Sequence, residues 1–151
     1  MYQTILVAID GSNCGNRALE EAIRLASLCK ARLEIVHVVD NGYLMYDVGF
    51  STMADLRPAL VNAGTALLSE AEARARGNGL VCSTHLVNDI LVAGDIASAI
   101  HAEAQRTHAE LVVVGTHGRR GVRRLVMGSV AEGLVRDAKV PVLLVRAPQA
   151  D

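Results

Sequence analysis

Thr4 to Ile9 is a short, almost unbroken run of β-branched and aliphatic residues that closes on Asp10-Gly11-Ser12. A run without polar alternation predicts a strand buried on both faces. Behind it Ala18, Leu19, Ala22, Ile23, Leu25, Ala26 and Cys29 recur at steps of three and four, with Arg17, Glu20, Glu21 and Arg24 between them. That spacing predicts an amphipathic helix capped by Ser12 or Asn13. Leu33 to Val39 is a second buried run, followed by a loop rich in Gly, Tyr and Asp from Asp40 to about Met53. Leu56, Leu60, Ala63, Leu67, Ala71 and Ala75 mark a second helix, with Pro58 in its first turn, where the missing N–H is harmless, and Gly77-Asn78-Gly79 at its end.

The alternation continues to the end of the chain. Val81 to Val87 reads as a third strand, Ile96, Ile100 and Ala104 as the inner stripe of a third helix, and Leu111 to Val114 as a fourth strand. A stretch rich in Gly and Arg from Gly115 to Met127 leads to a fourth helix, Ser129 to about Asp137, and a fifth strand, Pro141 to Val145. Strands alternating with helices imply a parallel sheet with right-handed crossovers and helices on both faces. Ligands of such sheets bind beyond the carboxyl ends of the strands, where strand order reverses. Suggestive residues follow the first strand (Asp10-Gly11-Ser12) and the fourth (Gly115-Thr116-His117-Gly118). If both serve one site, strands 1 and 4 are neighbours, which favours the order 3-2-1-4-5.

Composition narrows the picture. With 151 residues, one α/β domain accounts for residues 1–151. Hydrophobic residues make up 51% and aromatics only 3%, so the core is aliphatic. Fifteen Lys and Arg against sixteen Asp and Glu give a formal charge of -1, which supplies no basic field for nucleic acid. Cys14, Cys29 and Cys82 are odd in number and form no CxxC, so neither a disulfide framework nor a zinc site is expected and a reducing, cytoplasmic setting fits. The start of the chain shows no signal pattern, and no membrane insertion is expected.

The segment from Gly115 to Ser129 carries the most chemistry. It joins a buried strand to a helix N-terminus, where unpaired N–H groups and the helix dipole favour an anion. Gly115 and Gly118 let the backbone approach a phosphate chain, Gly128 frees the helix start, and Ser129 adds a hydroxyl donor. The same glycines also suit a plain crossover with a glycine cap. Neither G-x-x-x-x-G-K-[S/T] nor a G-x-G-x-x-G after a strand occurs, which disfavours motor-type NTPases and nicotinamide dehydrogenases. Arg119, Arg120, Arg123 and Arg124 lie within six positions and suit either a triphosphate, an acidic partner or plain solvation. His117 has no paired Asp or Ser in sequence, and the remaining histidines show no ligand spacing, so no metal site is assigned. Tyr43, Tyr46 and Phe50 make the loop after the second strand a lid, a docking surface or an apolar flap.

Gly115-x2-Gly118-x9-Gly128-Ser129 resembles the G-x2-G-x9-G-[S/T] nucleotide motif of the universal stress protein family in its ATP-binding branch. The likeness extends to Ile5 to Ser12, to Gly94-Asp95-Ile96 and to Val140 to Val145, and so spans the chain. The resemblance implies a Rossmann-like fold of the adenine nucleotide alpha-hydrolase type. It implies an ATP site with Ala8, Asp10 and Val38 on the nucleoside and Gly115, Gly118, Gly128, Ser129 and Val130 on the phosphates, with Mg²⁺ carried on the phosphates. Ala8 stands where some members have proline. A homodimer through the Pro141 to Val145 edge strand is implied too, since a bare edge of this kind invites aggregation. The leading expectation is an ATP-binding sensor or regulator of stress response with a regulatory protein partner. The rivals are a slow ATPase or nucleotidyl-transferring enzyme on this fold, and a nucleotide-free interaction module. No H-x-G-H or S-G-G-x-D-S signature supports the enzyme.

Overall fold

The computed structural model describes residues 1–40, 49–88, 96–118 and 127–148. The elements run β1 (Thr4–Ala8), α1 (Asn13–Cys29), β2 (Arg32–Val38), α2 (Gly49–Gly77), β3 (Cys82–Val87), α3 (Ile96–Arg106), β4 (Leu111–Gly115), α4 (Ser129–Asp137) and β5 (Val142–Val145). The five strands form one sheet in the order β3-β2-β1-β4-β5, every pairing parallel. This is the order expected from placing Asp10 and Gly118 at one site. Each strand boundary lies within one residue of the limit read from the hydrophobic runs.

Side chains alternate between the two faces of the sheet. Ile5, Val7, Leu33, Ile35, Leu111 and Val113 pack under α1 and α2, against Ala18, Ala22, Leu68 and Ala75. Leu6, Val36, Val112 and Val114 face the other way, onto Ile100 and Ala104 of α3 and Leu134 of α4. Both cores are aliphatic, as the 3% aromatic content requires. Ser12 caps α1 by accepting the Gly15 N–H, and Lys30 ends it in the left-handed region, φ 56°.

The second helix departs from expectation. It begins at Gly49, seven residues before Leu56, and Pro58 therefore lies in its interior and not in its first turn. Phe50, Met53 and Ala54 extend the stripe of Leu56 and Leu60 upstream at three- and four-residue steps, which carries the helical period past the proline. Within the stripe Ala63 is exposed and Gly64 is buried in its stead. The reason is His37, whose ring lies against Gly64: a Cβ there would stand 2.7 Å from His37 Cδ2. In α3 Ala97 is buried where Ile96 was expected to lead the inner stripe, and Ile96 is half-buried beside it.

Toward the β3 edge a chain of polar and charged groups ties strands to helix. Glu34, only 5% exposed, accepts from Arg32 Nε at 2.7 Å and pairs with His85 Nε2 at 2.5 Å. Arg106 of α3 donates to His85 Nδ1 at 2.8 Å and to Glu103 at 2.6 Å.

Candidate functional site

β1 lies between β2 and β4, and the chain leaves β1 and β4 toward opposite faces, to α1 and α4. The carboxyl ends of these two strands therefore bound a cleft between the N-termini of two helices. Asp10 stands on one side of it. Its Oδ1 accepts the Ser12 N–H at 3.0 Å and the Ser12 hydroxyl at 2.5 Å, while Ser12 Oγ accepts the Gly15 N–H at 3.0 Å. The carboxylate is thereby fixed at the positive end of the α1 dipole, a favourable place for negative charge.

Gly118, at the start of the crossover after β4, stands opposite. A Cβ on Gly118 would lie 2.7 Å from Asp10 Oδ2, and a Cβ on Gly15 would lie 2.6 Å from Oδ1. Two glycines thus flank one carboxylate. The two segments singled out in the sequence do meet at the switch point.

The ends of the glycine-rich segment are held together. Gly128 donates its N–H to the Thr116 carbonyl at 2.7 Å, and Thr116 donates its own N–H to Val145 at 2.9 Å. Thr116 is buried, with its hydroxyl 3.1 Å from His117 Nδ1 and 4.0 Å from Cys14 Sγ. A Cβ on Gly128 would stand 3.2 Å from the Thr116 carbonyl oxygen, so glycine allows the two ends to close. Gly115 has a different neighbour: a Cβ there would meet Cys14 Cβ at 2.7 Å and the Cys14 backbone at 2.9 Å, which lets α1 pack directly on β4.

Gly128 is the N-cap of α4 and makes no side-chain cap bond, so the first N–H groups of Ser129, Val130 and Ala131 have no intrahelical acceptor. Ser129 is exposed and Val130 half-buried. Ala8, half-buried, ends β1 opposite Val36, and Val38, 8% exposed, ends β2 two residues further on. Arg119, Arg120, Arg123, Arg124, Tyr43, Tyr46, Gly94 and Asp95 fall outside the described residues, as does the Phe50 side chain.

Three participants carry no strong mark in the sequence. Gly15 interrupts a helical run at some cost in propensity, which is a signal of close approach. His37 is a lone imidazole inside an aliphatic strand, and Thr116 sits between two motif positions. The protonation shifts among the described residues lie elsewhere. Hydrogen bonds donated to Glu72 and Glu103 raise the pKa values of Arg76 and Arg106, and burial pushes the Cys82 thiol up against the pull of Arg76.

Among the described residues no three His, Cys, Asp or Glu side chains gather to hold a metal ion, and no helix is long and apolar enough to cross a membrane.

The family model of the universal stress protein family matches residues 1–146. The universal stress protein YxiE of Bacillus subtilis is 29% identical over 153 aligned positions, covering 97% of this chain and all of that one. A universal stress protein family structure from Burkholderia pseudomallei superposes with a TM-score of 0.78 at 36% identity, over 97% of each chain. A structure of the universal stress protein from Archaeoglobus fulgidus in complex with dAMP superposes with a TM-score of 0.63 at 25% identity, over 95% of this chain and 98% of that one. The family match runs from the first strand to the last: the chain belongs to the universal stress protein family.

Proposed function

We propose that the chain binds an adenine nucleotide, ATP foremost, in the cleft between β1 and β4 and acts as a nucleotide-dependent regulator. The observation that carries this reading is the juxtaposition of Asp10 and Gly118 at the switch point, where a Cβ on Gly118 would lie 2.7 Å from Asp10 Oδ2. The dAMP complex of the Archaeoglobus relative supports the same class of ligand.

In this reading Asp10, held at the start of α1 by Ser12, faces the ribose and its carboxylate oxygens accept from the ribose hydroxyls. The backbone of Ala8 and Val38 borders the base. Gly118, Gly128, Ser129 and Val130 border the phosphates, where the uncapped N-terminus of α4 supplies N–H donors and a favourable dipole. Gly115 serves them by bringing β4 against α1. Mg²⁺ enters this reading as an ion carried by the phosphates.

The test is binding. ATP at about 100 times its dissociation constant stabilises the fold by about 2.7 kcal/mol, a rise in melting temperature of about 5–10 °C for a domain of this size. AMP and cAMP should bind at the same site, whereas NADH and FMN should shift the transition much less. Absence of a shift together with absence of calorimetric heat, with and without Mg²⁺, would overturn the reading.

A further inference from the structure

His37 belongs to β2, yet its imidazole reaches β1. The β1–β2 pairing continues one step past Ala8, with the Ile9 N–H donating to the Val36 carbonyl at 3.0 Å. In a parallel ladder a residue that donates to one neighbour accepts from the residue two further along, so the Ile9 carbonyl is due the Val38 N–H. It is taken instead by His37 Nδ1 at 2.8 Å. A carbonyl only accepts, so Nδ1 carries the hydrogen. Among the described residues no backbone bond joins Val38 to Ile9. Val39 donates across to the Val87 carbonyl on β3 at 2.8 Å, and the alternation of N–H directions along a strand turns the Val38 N–H the other way, toward β1.

The ring is held from behind as well. His37 is 9% exposed and packs on the α2 backbone at Gly64, where a Cβ would lie 2.7 Å from Cδ2 and 3.2 Å from Nε2. A fixed imidazole therefore stops the ladder at Ile9, the last residue before Asp10. A buried histidine serving only the core would need a partner, but not this partner.

We propose that His37 is a positioning residue for the nucleotide: by occupying the Ile9 carbonyl it keeps β1 and β2 from closing and leaves the Val38 N–H as a donor toward the cleft. The inference rests on the adenine-nucleotide reading given above, with the base beside Val38. A donor at that point suits a heterocyclic ring nitrogen with a free lone pair.

Amide hydrogen exchange read by nuclear magnetic resonance on the nucleotide-free protein tests the geometry, and calorimetry with ATP and with inorganic tripolyphosphate tests the consequence. His37→Leu removes the imidazole donor at similar volume, and His37→Asn keeps an N–H donor near the Nδ1 position. In His37→Leu the Val38 amide should close on the Ile9 carbonyl, its exchange slowing about tenfold or more. ATP affinity should fall about tenfold, the effect of one hydrogen bond, with tripolyphosphate affinity unchanged. His37→Asn should restore both. Unchanged Val38 exchange in His37→Leu overturns the proposal, as does an equal loss for ATP and tripolyphosphate, or failure of the Asn variant to restore either value. Absence of ATP binding to the wild-type protein overturns instead the nucleotide reading, and is seen before any variant is made.

Discussion

Gly115, Gly118 and Gly128 occupy equivalent places in a sequence motif, but their neighbours give them three different tasks. A methyl on Gly115 runs into the backbone of Cys14, which cannot step aside, whereas a methyl on Gly118 meets only the end of the Asp10 side chain. Gly115→Ala should therefore destabilise the fold by about 1–3 kcal/mol, the range of an overpacked core, and lower the melting temperature by about 2–12 °C. Gly118→Ala should leave the melting temperature and circular dichroism near those of the wild type while ATP affinity is lost. Equal thermal losses in the two variants would count against this division of labour. The motif spacing reveals that glycines are needed at these points. It does not reveal what each approaches, because that depends on which turn of α1 faces which strand end. Gly15 and His37 stay hidden for the same reason: one is small to admit Asp10, the other is buried to reach Ile9, and neither contact is local in sequence.

At the level of elements, the strands were readable because each is an aliphatic run buried on both faces, and a buried run ends where polar or glycine residues begin. The β-strand order was readable because two chemically marked strand ends had to be adjacent. α2 was harder. Gly49, Ser51 and Thr52 are weak helix formers and Pro58 resembles a first-turn residue, so local preference argues for a later start than the one the helix takes. An interior proline leaves the Ala54 carbonyl without its usual donor and costs about 3 kcal/mol in an ideal helix. The stiffness it gives the unfolded chain offsets about 0.4–1 kcal/mol of that. Pro58 is exposed, so no packing is lost on its removal. Pro58→Ala should raise stability by about 2–2.6 kcal/mol, seen as a higher melting temperature and a higher urea midpoint with an unchanged slope. A lower midpoint would show that the helix uses the proline.

For the molecule as a whole, the two edges of the sheet are treated differently. β3 places His85 in a polar chain between Glu34 of β2 and Arg106 of α3, whereas β5 offers Val142, Leu143 and Leu144, all half-buried in the single chain. A two-fold pairing of β5 with a second copy covers both apolar edges at once. The proposed homodimer should sediment as such at tens of micromolar, and Leu144→Asp should convert it to a monomer; a dimer that survives the substitution uses another surface. A regulator that reads ATP must also keep it. Rapid phosphoryl transfer requires a cation on the γ-phosphate, a metal held in place and a group that orients water. Of the described residues in the cleft, Asp10 is committed to Ser12 at the α1 end, and His117 Nδ1 is engaged with the Thr116 hydroxyl. The glycine-rich segment contains arginines but no lysine. Turnover should accordingly fall well below about 1 s⁻¹, the low end of ordinary enzymes, and ATP should survive purification with the protein. A phosphate-release assay run beside Gly118→Ala decides the matter. Release above about 1 s⁻¹ that disappears in the variant would make hydrolysis the function. Equal background in both would leave ATP as a ligand whose presence the dimer reports.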